Sequence, residues 1–433
     1  MEANIQQLTV AIAGLGSRGL DTYAQCAKKF PKKMVITAVA DPRPERVALA
    51  VEQFALTPAQ CYENVESMLQ QERLADILFV CTQDRQHVGH AIAAMRKGYH
   101  ILLEKPISPA LAECRDILRV AEETGRQVIV CHVLRYTTFY NKLKELLDAG
   151  TIGDIVCVQH VENVRYYHHA HSYVRGNWRR SDETSPMIMA KCCHDLDILL
   201  WLTGKHCASV SSYGSTYLFR PDKAPEGAAK RCLDGCKVKE SCPYDAEKIY
   251  LTNPGMGVAG GNTGWPCNIL EPHPTIENIT AALKTGPYGR CVYHCDNNVV
   301  DHQVVNMQMT DGSSMQMVMS AFTAHGGRFS KIMGTHGEIT ADLHKNQIWV
   351  MPYGGEDYMI DVRQLARDLS GHAGGDNQMV EEFLDMVSGR ISPTVRTSTL
   401  QDSMESHFLA LAAEISRLEG GRSVTIAEVS SGQ

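Results

Sequence analysis

Along the first third of the chain, short apolar runs alternate with amphipathic stretches of helical period. Leu8–Ala13, Met34–Ala40, Asp76–Cys81, His100–Glu104 and Val128–His132 have the pattern of strands. Arg18–Lys29, Pro44–Phe54, His87–Lys97 and Pro109–Thr124 have that of the helices between them. Gly98 and Gly125 stand where helix C-caps belong. Nearly continuous apolar strands separated by helices predict a doubly wound parallel sheet, covered on both faces. One more helix is predicted from about Tyr136 to Ala149, ended by Gly150. After Gly153 the period drops to two. Ile155–Glu162, His302–Thr310, Met315–Phe322, Lys331–Met333, Glu338–Asp342 and Gln347–Val350 then predict strands. Turns such as Asp311-Gly312 join them as hairpins. A largely antiparallel sheet in a second, α+β domain follows. Asn377–Ser388 and Thr399–Glu419 return to helical period.

Composition narrows the function classes. The chain has 433 residues, more than one compact core organises, so two domains are expected. Its 44% apolar and 21% charged residues are ordinary for a globular protein. A net charge of -7 with no basic run argues against a nucleic-acid surface. No apolar stretch reaches the length of a membrane span. The opening MEANIQQ has neither a basic nor an apolar leader region, so a cytoplasmic protein is expected. Fifteen cysteines, an odd number, then predict mostly reduced thiols.

The candidate chemistry starts at the first strand. Leu8–Ala13 runs straight into Gly14-Leu15-Gly16-Ser17-Arg18-Gly19. Gly14 permits a tight turn, Gly16 lets backbone approach a pyrophosphate, and Gly19 lets a helix pack close on its strand. The helix N-terminus offers amides to phosphate. Asp41 closes the second strand 22 residues after Gly19, where an acid hydrogen-bonds ribose hydroxyls. Asp41 would repel a 2′-phosphate, which predicts NAD rather than NADP. Arg43 and Arg46 lie near enough to offset that repulsion. Two further strand ends carry polar groups: Cys81 to His87, and Glu104-Lys105-Pro106.

With Glu104-Lys105-Pro106 closing such a fold, the chain resembles the glucose–fructose oxidoreductase / inositol dehydrogenase / MocA (Gfo/Idh/MocA) family. Thr82 and His87 match that family's fourth-strand stretch. Arg135, and the helix ending Ala149-Gly150-Thr151-Ile152-Gly153, match the passage into the second domain. Trp178-Arg179 and His194-Asp195-Leu196-Asp197 through Gly204 match the substrate-domain helix. The resemblance implies a Rossmann domain over residues 1–134 and an α+β substrate and oligomerisation domain with an open, mostly antiparallel sheet over 135–398. It also implies a final helix, 399–433, packed on the first domain or on the junction. NAD would contact Gly14, Gly16, Ser17, Arg18, Gly19, Asp41, Arg43, Thr82, His87, Glu104, Lys105, Trp178 and Arg179. A sugar, glycoside or cyclitol would meet Lys105, Arg135, Tyr136, Lys191, His194 and Asp195. A homo-oligomer, dimer or tetramer, is implied as well.

Lys105 and His194 are the expected catalytic pair. Pro106 biases Lys105 toward extended backbone, which aims its side chain into the crevice. A neutral imidazole accepts a hydroxyl proton near pH 7, whereas a freely solvated lysine is already charged. A structural histidine remains the alternative for His194. Asp195 is expected to face substrate hydroxyls, while Asp197 suits a substrate hydroxyl or a helix N-terminal charge equally. Trp178 and Arg179 suit a pocket lining or ordinary packing. There is one departure at the centre: the family carries an acid four residues before the helix histidine, and here that position is Ala190. Lys191 is the neighbouring polar group and is expected to contact substrate instead. His160, His168, His169 and His171 suit either a metal or a polar sugar cleft.

Residues 220–300 form a Cys-, Gly- and Pro-rich insertion outside the family pattern. Cys232, Cys236 and Cys242 are candidate ligands of a structural Zn2+, with packed thiols as the alternative. Three functions are open. The leading one is NAD-dependent oxidation of a secondary alcohol. A redox-neutral glycosidase that retains NAD and a non-catalytic NAD-binding sensor are the others.

Overall fold

The computed structural model describes residues 7–366, 368 and 370–431; the first six residues of the expected first domain lie outside them. The first sheet is built from β1 (Leu8–Ala13), β2 (Met34–Ala40), β3 (Cys61–Tyr62), β4 (Ile77–Val80), β5 (His100–Leu103) and β6 (Val128–Val130). Its order is β3-β2-β1-β4-β5-β6, all parallel. Val10, Ile12, Phe79 and Leu102 pack with Leu20 and Tyr23 on one face. Ala11, Ala13, Leu78 and Ile101 pack with Ala91, Met95 and Ile117 on the other. That two-sided burial is why these strands are apolar throughout rather than alternating.

The turn after β1 differs from the single helix expected over Arg18–Lys29. A wide turn, Gly19–Tyr23, precedes a short α-helix, Cys26–Lys29. A Cβ on Gly19 would lie 1.9 Å from the Gly14 carbonyl oxygen, so only glycine lets the turn pack there. Gly14 has φ +90°, and a Cβ on it would sit 2.5 Å from the Cys81 oxygen. The strand β3 and the helix Val65–Gln70, capped by Asn64, carry too few periodic residues to be predicted.

The second sheet has nine strands: β7 (Ile155–Asn163), β8 (Cys207–Ser215), β9 (His302–Met309), β10 (Ser314–Ser320), β11 (Gly327–Gly334), β12 (Gly337–Asp342), β13 (Gln347–Pro352), β14 (Tyr358–Asp361) and β15 (Val424–Thr425). Its order is β14-β13-β12-β11-β7-β10-β9-β8-β15. Only β7 and β10 pair in parallel; the other pairs are antiparallel. Val305, Met307, Met315, Met317 and Met319 point to one face, against Leu196 and Leu199 of the helix Cys193–Thr203. β8 escapes the sequence pattern because its sequence, CASVSSYGS, is mostly small and polar.

The helix Leu400–Leu418 joins both cores. Leu400 and Met404 pack with the first sheet, while Leu409, Ala410, Ala412 and Ala413 pack with the second. Thr399 caps it by accepting from the Asp402 amide at 3.2 Å. Among the described residues, no helix is long and apolar enough to cross a membrane.

The insertion between β8 and β9 has its own small core of Ile249, Tyr250, Cys267, Ile279 and Leu283. The zinc expected at Cys232, Cys236 and Cys242 has no site there. Among the described residues, no three His, Cys, Asp or Glu side chains gather as ligands of one ion. The three cysteines line a closed pocket with Cys291, Tyr244 and Arg175. Arg175 donates to the Tyr244 carbonyl at 2.7 Å and lies 3.7 Å from the Cys232 sulfur. A buried guanidinium already stands where a dication would go. Burial also lifts the Cys242 thiol, and that of Cys291 to about 11, which opposes the thiolate a metal needs. The four histidines that suited either a metal or a sugar cleft go separate ways: His160 to Asp195, His169 to Phe219, His171 to Tyr250 and His168 to Trp265.

Candidate active site

The carboxyl ends of the parallel strands gather the first group of residues, as in any open α/β sheet. Asp41, at the end of β2, is 4% exposed. Its carboxylate accepts from the Leu15 amide at 2.7 Å and the Arg43 amide at 2.9 Å. The Arg43 guanidinium adds bonds at 2.9 and 3.0 Å. Burial pushes the Asp41 carboxyl up, but the Arg43 bonds outweigh it and hold it below the usual range. A Cβ on Gly16 would meet nothing nearer than the Arg43 guanidinium, at 3.9 Å. Open space above Gly16, with Gly14 and Gly19 packed tight, is a cradle of the shape a pyrophosphate needs. Ser17 and Arg18 continue that loop.

Glu104 is turned inward. It accepts from Arg18 Nε at 2.7 Å, the Tyr23 hydroxyl at 2.6 Å and the Lys105 amide at 3.1 Å. Arg18 also reaches Asp376 at 2.6 Å. These bonds lock the residue before Lys105 and fix the loop that carries Arg18. His87 bridges two strand ends, with Nδ1 2.7 Å from the Pro106 oxygen and Nε2 3.1 Å from the Thr82 oxygen. It positions both.

Lys105 leaves this framework and donates to the Ala190 carbonyl at 2.9 Å. That ties its ammonium to the residue before Lys191, and its charge acts on His194. His194 is 6% exposed, and its buried Nδ1 has no hydrogen-bond partner among the described residues. Its ring lies 5.9 Å from that of His132 and 6.2 Å from that of His372. Burial, then the charges of Lys105 and Arg328, hold the His194 imidazole well below its usual pKa. It is therefore neutral near pH 7. Lys191 stands 3.4 Å from Glu162.

Three expected substrate contacts are instead packed into the protein. Asp195 is fully buried and accepts from Arg328 Nε at 2.6 Å, with His160 at 2.9 Å. Arg135 holds Asp197 through two bonds of 2.8 and 2.6 Å. The Tyr136 hydroxyl accepts from the Ser398 amide, away from the cleft. Their polar groups were legible as site candidates, but charge pairing inside the fold consumed them. Trp178 donates to Asp84 at 3.1 Å, beside the end of β4, whereas Arg179 is directed to Asp296 of the insertion. Sequence reasoning missed His132. It follows β6 as Lys105 follows β5, and that shared strand-end position was the available signal. Among the described residues, neither of its ring nitrogens has a hydrogen-bond partner.

Two family models match nearly the whole chain. One is described as an oxidoreductase family, NAD-binding Rossmann fold, over residues 8–132; the other as its C-terminal alpha/beta domain, over residues 144–410. The chain belongs to the Gfo/Idh/MocA oxidoreductase family. This Gfo/Idh/MocA chain is 22% identical to the putative oxidoreductase YteT of Bacillus subtilis over 393 residues, 86% of this chain and 88% of YteT. It is 26% identical to an inositol 2-dehydrogenase of Pseudomonas savastanoi over 204 residues, 47% of this chain and 56% of that one. In fold it is similar to an oxidoreductase from Agrobacterium radiobacter, whose crystals hold NAD+, L-tartaric acid and magnesium. The TM-score is 0.68 at 15% identity, covering 97% of this chain and 99% of that one. Apo scyllo-inositol dehydrogenase from Lactobacillus casei gives a TM-score of 0.64 at 17% identity, covering 98% and 100%. The chain is thus an NAD-binding oxidoreductase of this family.

Proposed function

We propose that the protein oxidises a secondary alcohol of a sugar, glycoside or cyclitol. NAD would be held by Gly14, Gly16, Ser17, Arg18, Gly19, Asp41, Arg43 and Thr82. When bound, it supplies the hydride acceptor. The substrate hydroxyl would lie between Lys105 and His194. His194 takes the hydroxyl proton, because a neutral imidazole has a free lone pair where an ammonium has none. Lys105 stabilises the negative charge that grows on the oxygen. Lys191 contacts a neighbouring substrate oxygen in place of the acid missing at Ala190. The observation that carries this reading is the Lys105 bond to the Ala190 carbonyl, which ties the strand-end lysine to the segment of the second domain four residues before His194. The inositol dehydrogenases among its relatives support the substrate class.

The test is a panel of inositols, free sugars and methyl glycosides with NAD, read by absorbance of the reduced nicotinamide. Accumulation of NADH with a polyol supports the dehydrogenase. Cleavage of a glycoside without net NADH favours the redox-neutral reading, and binding without either change favours a sensor.

A further inference from the structure

The insertion is the part of the chain that the proposed reaction leaves unused, and its contacts reach back to the first sheet. Asn268 donates to Asp21 at 3.3 Å. Asp21 lies two residues beyond Gly19 and accepts from Arg46 at 2.8 Å, and Arg46 in turn donates to the Leu15 carbonyl at 2.6 Å. Asn268 therefore grips the segment that carries the glycine loop. Tyr288 stacks on His171, with centroids 4.7 Å apart, and its hydroxyl feels the charges of Arg179 and Arg43. Arg43 is the side chain that faces the space over Gly16.

Trp265, 39% exposed, packs edge-on to His168 at 5.1 Å and His171 at 5.2 Å. His168 lies in the field of Lys191, at the substrate end. The far end of the insertion is tied down as well. Ser181 donates its amide to Asn298 at 2.7 Å and accepts from Arg85, just past β4, at 3.0 Å. A dinucleotide on a Rossmann sheet lies along the strand ends between the first loop and the fourth strand. The insertion spans both.

We propose that residues 216–301 roof the dinucleotide cleft and slow exchange of NAD, with Trp265, Asn268 and Tyr288 as the closing side chains. This rests on NAD binding at the Gly14–Gly19 loop. A roof acts on passage more than on the bound state, so opening it speeds entry and exit together and leaves affinity nearly unchanged. A side chain that only touched the cofactor would change affinity through release alone.

The experiment loads the full chain with NADH, chases with excess NAD+, and follows loss of NADH fluorescence; association is timed separately. Trp265→Ala opens the roof. Asn268→Asp, nearly isosteric, sets a carboxylate against Asp21. At least one variant should release NADH about tenfold faster, with association faster to match and Kd held within about threefold. The Asn268→Asp effect should shrink in high salt, because repulsion is screened. Release within about twofold of the parent in both variants overturns the roof. So does faster release at unchanged association, which marks a simple contact. Failure of the parent chain to bind NADH overturns the cofactor reading and the roof with it.

Discussion

The ammonium of Lys105 donates to the backbone carbonyl of Ala190, 85 residues away and on the other domain. Where the family resemblance implied an acid, this chain has Ala190, and Lys105 bonds to the main chain there. A carbonyl orients the lysine without adding a negative charge. The cleft floor therefore keeps two ammonium groups, Lys105 and Lys191, near a neutral His194. Glu162 and Asp195 lie beneath them, and both are paired with Arg328. In the proposed reaction this arrangement would suit binding of an electron-rich oxygen and would leave the imidazole as the proton acceptor.

Removing either catalytic group should reduce turnover but spare the cofactor. Lys105→Ala and His194→Ala are each expected to lower kcat about a hundredfold or more, in line with loss of positioned acid–base catalysis. NAD affinity, measured by fluorescence titration, should stay near that of the parent. Because His194 is held below the usual imidazole range, the acid limb of kcat/KM should lie below pH 6.5. Near-full activity of His194→Ala, or an acid limb at an ordinary histidine pKa, would move the base elsewhere.

Asp41 should govern the choice of cofactor. Its carboxylate is stabilised as the anion by Arg43, so it presents negative charge to the ribose at any ordinary pH. NAD(H) should therefore bind more tightly than NADP(H). Asp41→Ala should weaken NAD about tenfold or more, as expected for loss of a charged hydrogen bond, and narrow the preference. It also frees the Arg43 guanidinium for a phosphate. Calorimetric titration with both cofactors measures this; tighter NADP(H) binding by the parent chain would refute it.

Arg328 is the keystone of the buried charges under the cleft. It bonds Asp195 at 2.6 Å and lies 3.0 Å from Glu162, and both carboxylates are about 1% exposed or less. Arg328→Met leaves two buried carboxylates without their cation. A loss of about 3–5 kcal/mol is expected, the usual cost of breaking a buried pair. Urea unfolding reads it. A loss below about 1 kcal/mol would show the pair to be well compensated by Lys191 and His160.

Stability should fall on mild acidification. Burial holds His169 at about 4, and His171 and His407 at about 3, against an unfolded value near 6.5. The unfolded chain therefore binds more protons below pH 6.5, so stability is full above that pH and is lost as the pH falls toward 4. With three such groups, the slope well below pH 6.5 approaches about 4 kcal/mol per pH unit. Thermal melts between pH 7.5 and 5 measure it, and a melting temperature flat over that range would exclude this burial.

The sequence by itself determined five of the six strands of the first sheet, the glycine loop and the strand-end lysine. These are local or strictly periodic signals: doubly buried strands must be apolar, and Gly14 and Gly19 are demanded by backbone contacts of a few ångströms. It also determined the alternating strands from β9 to β13 and the long helix Leu400–Leu418. Only the tertiary structure decided which polar side chains reach the cleft. Asp195, Arg135 and Tyr136 look as reactive in the sequence as Lys105 and His194, yet pairing with Arg328, Asp197 and Ser398 takes them inside. Those partners lie 62 to 262 residues away. The insertion shows the same rule: its clustered cysteines left a metal site or packed thiols open, and the buried cation of Arg175, brought from outside the insertion, settles beside Cys232. Charge compensation in a closed interior depends on neighbours in space, and a local pattern carries no record of them.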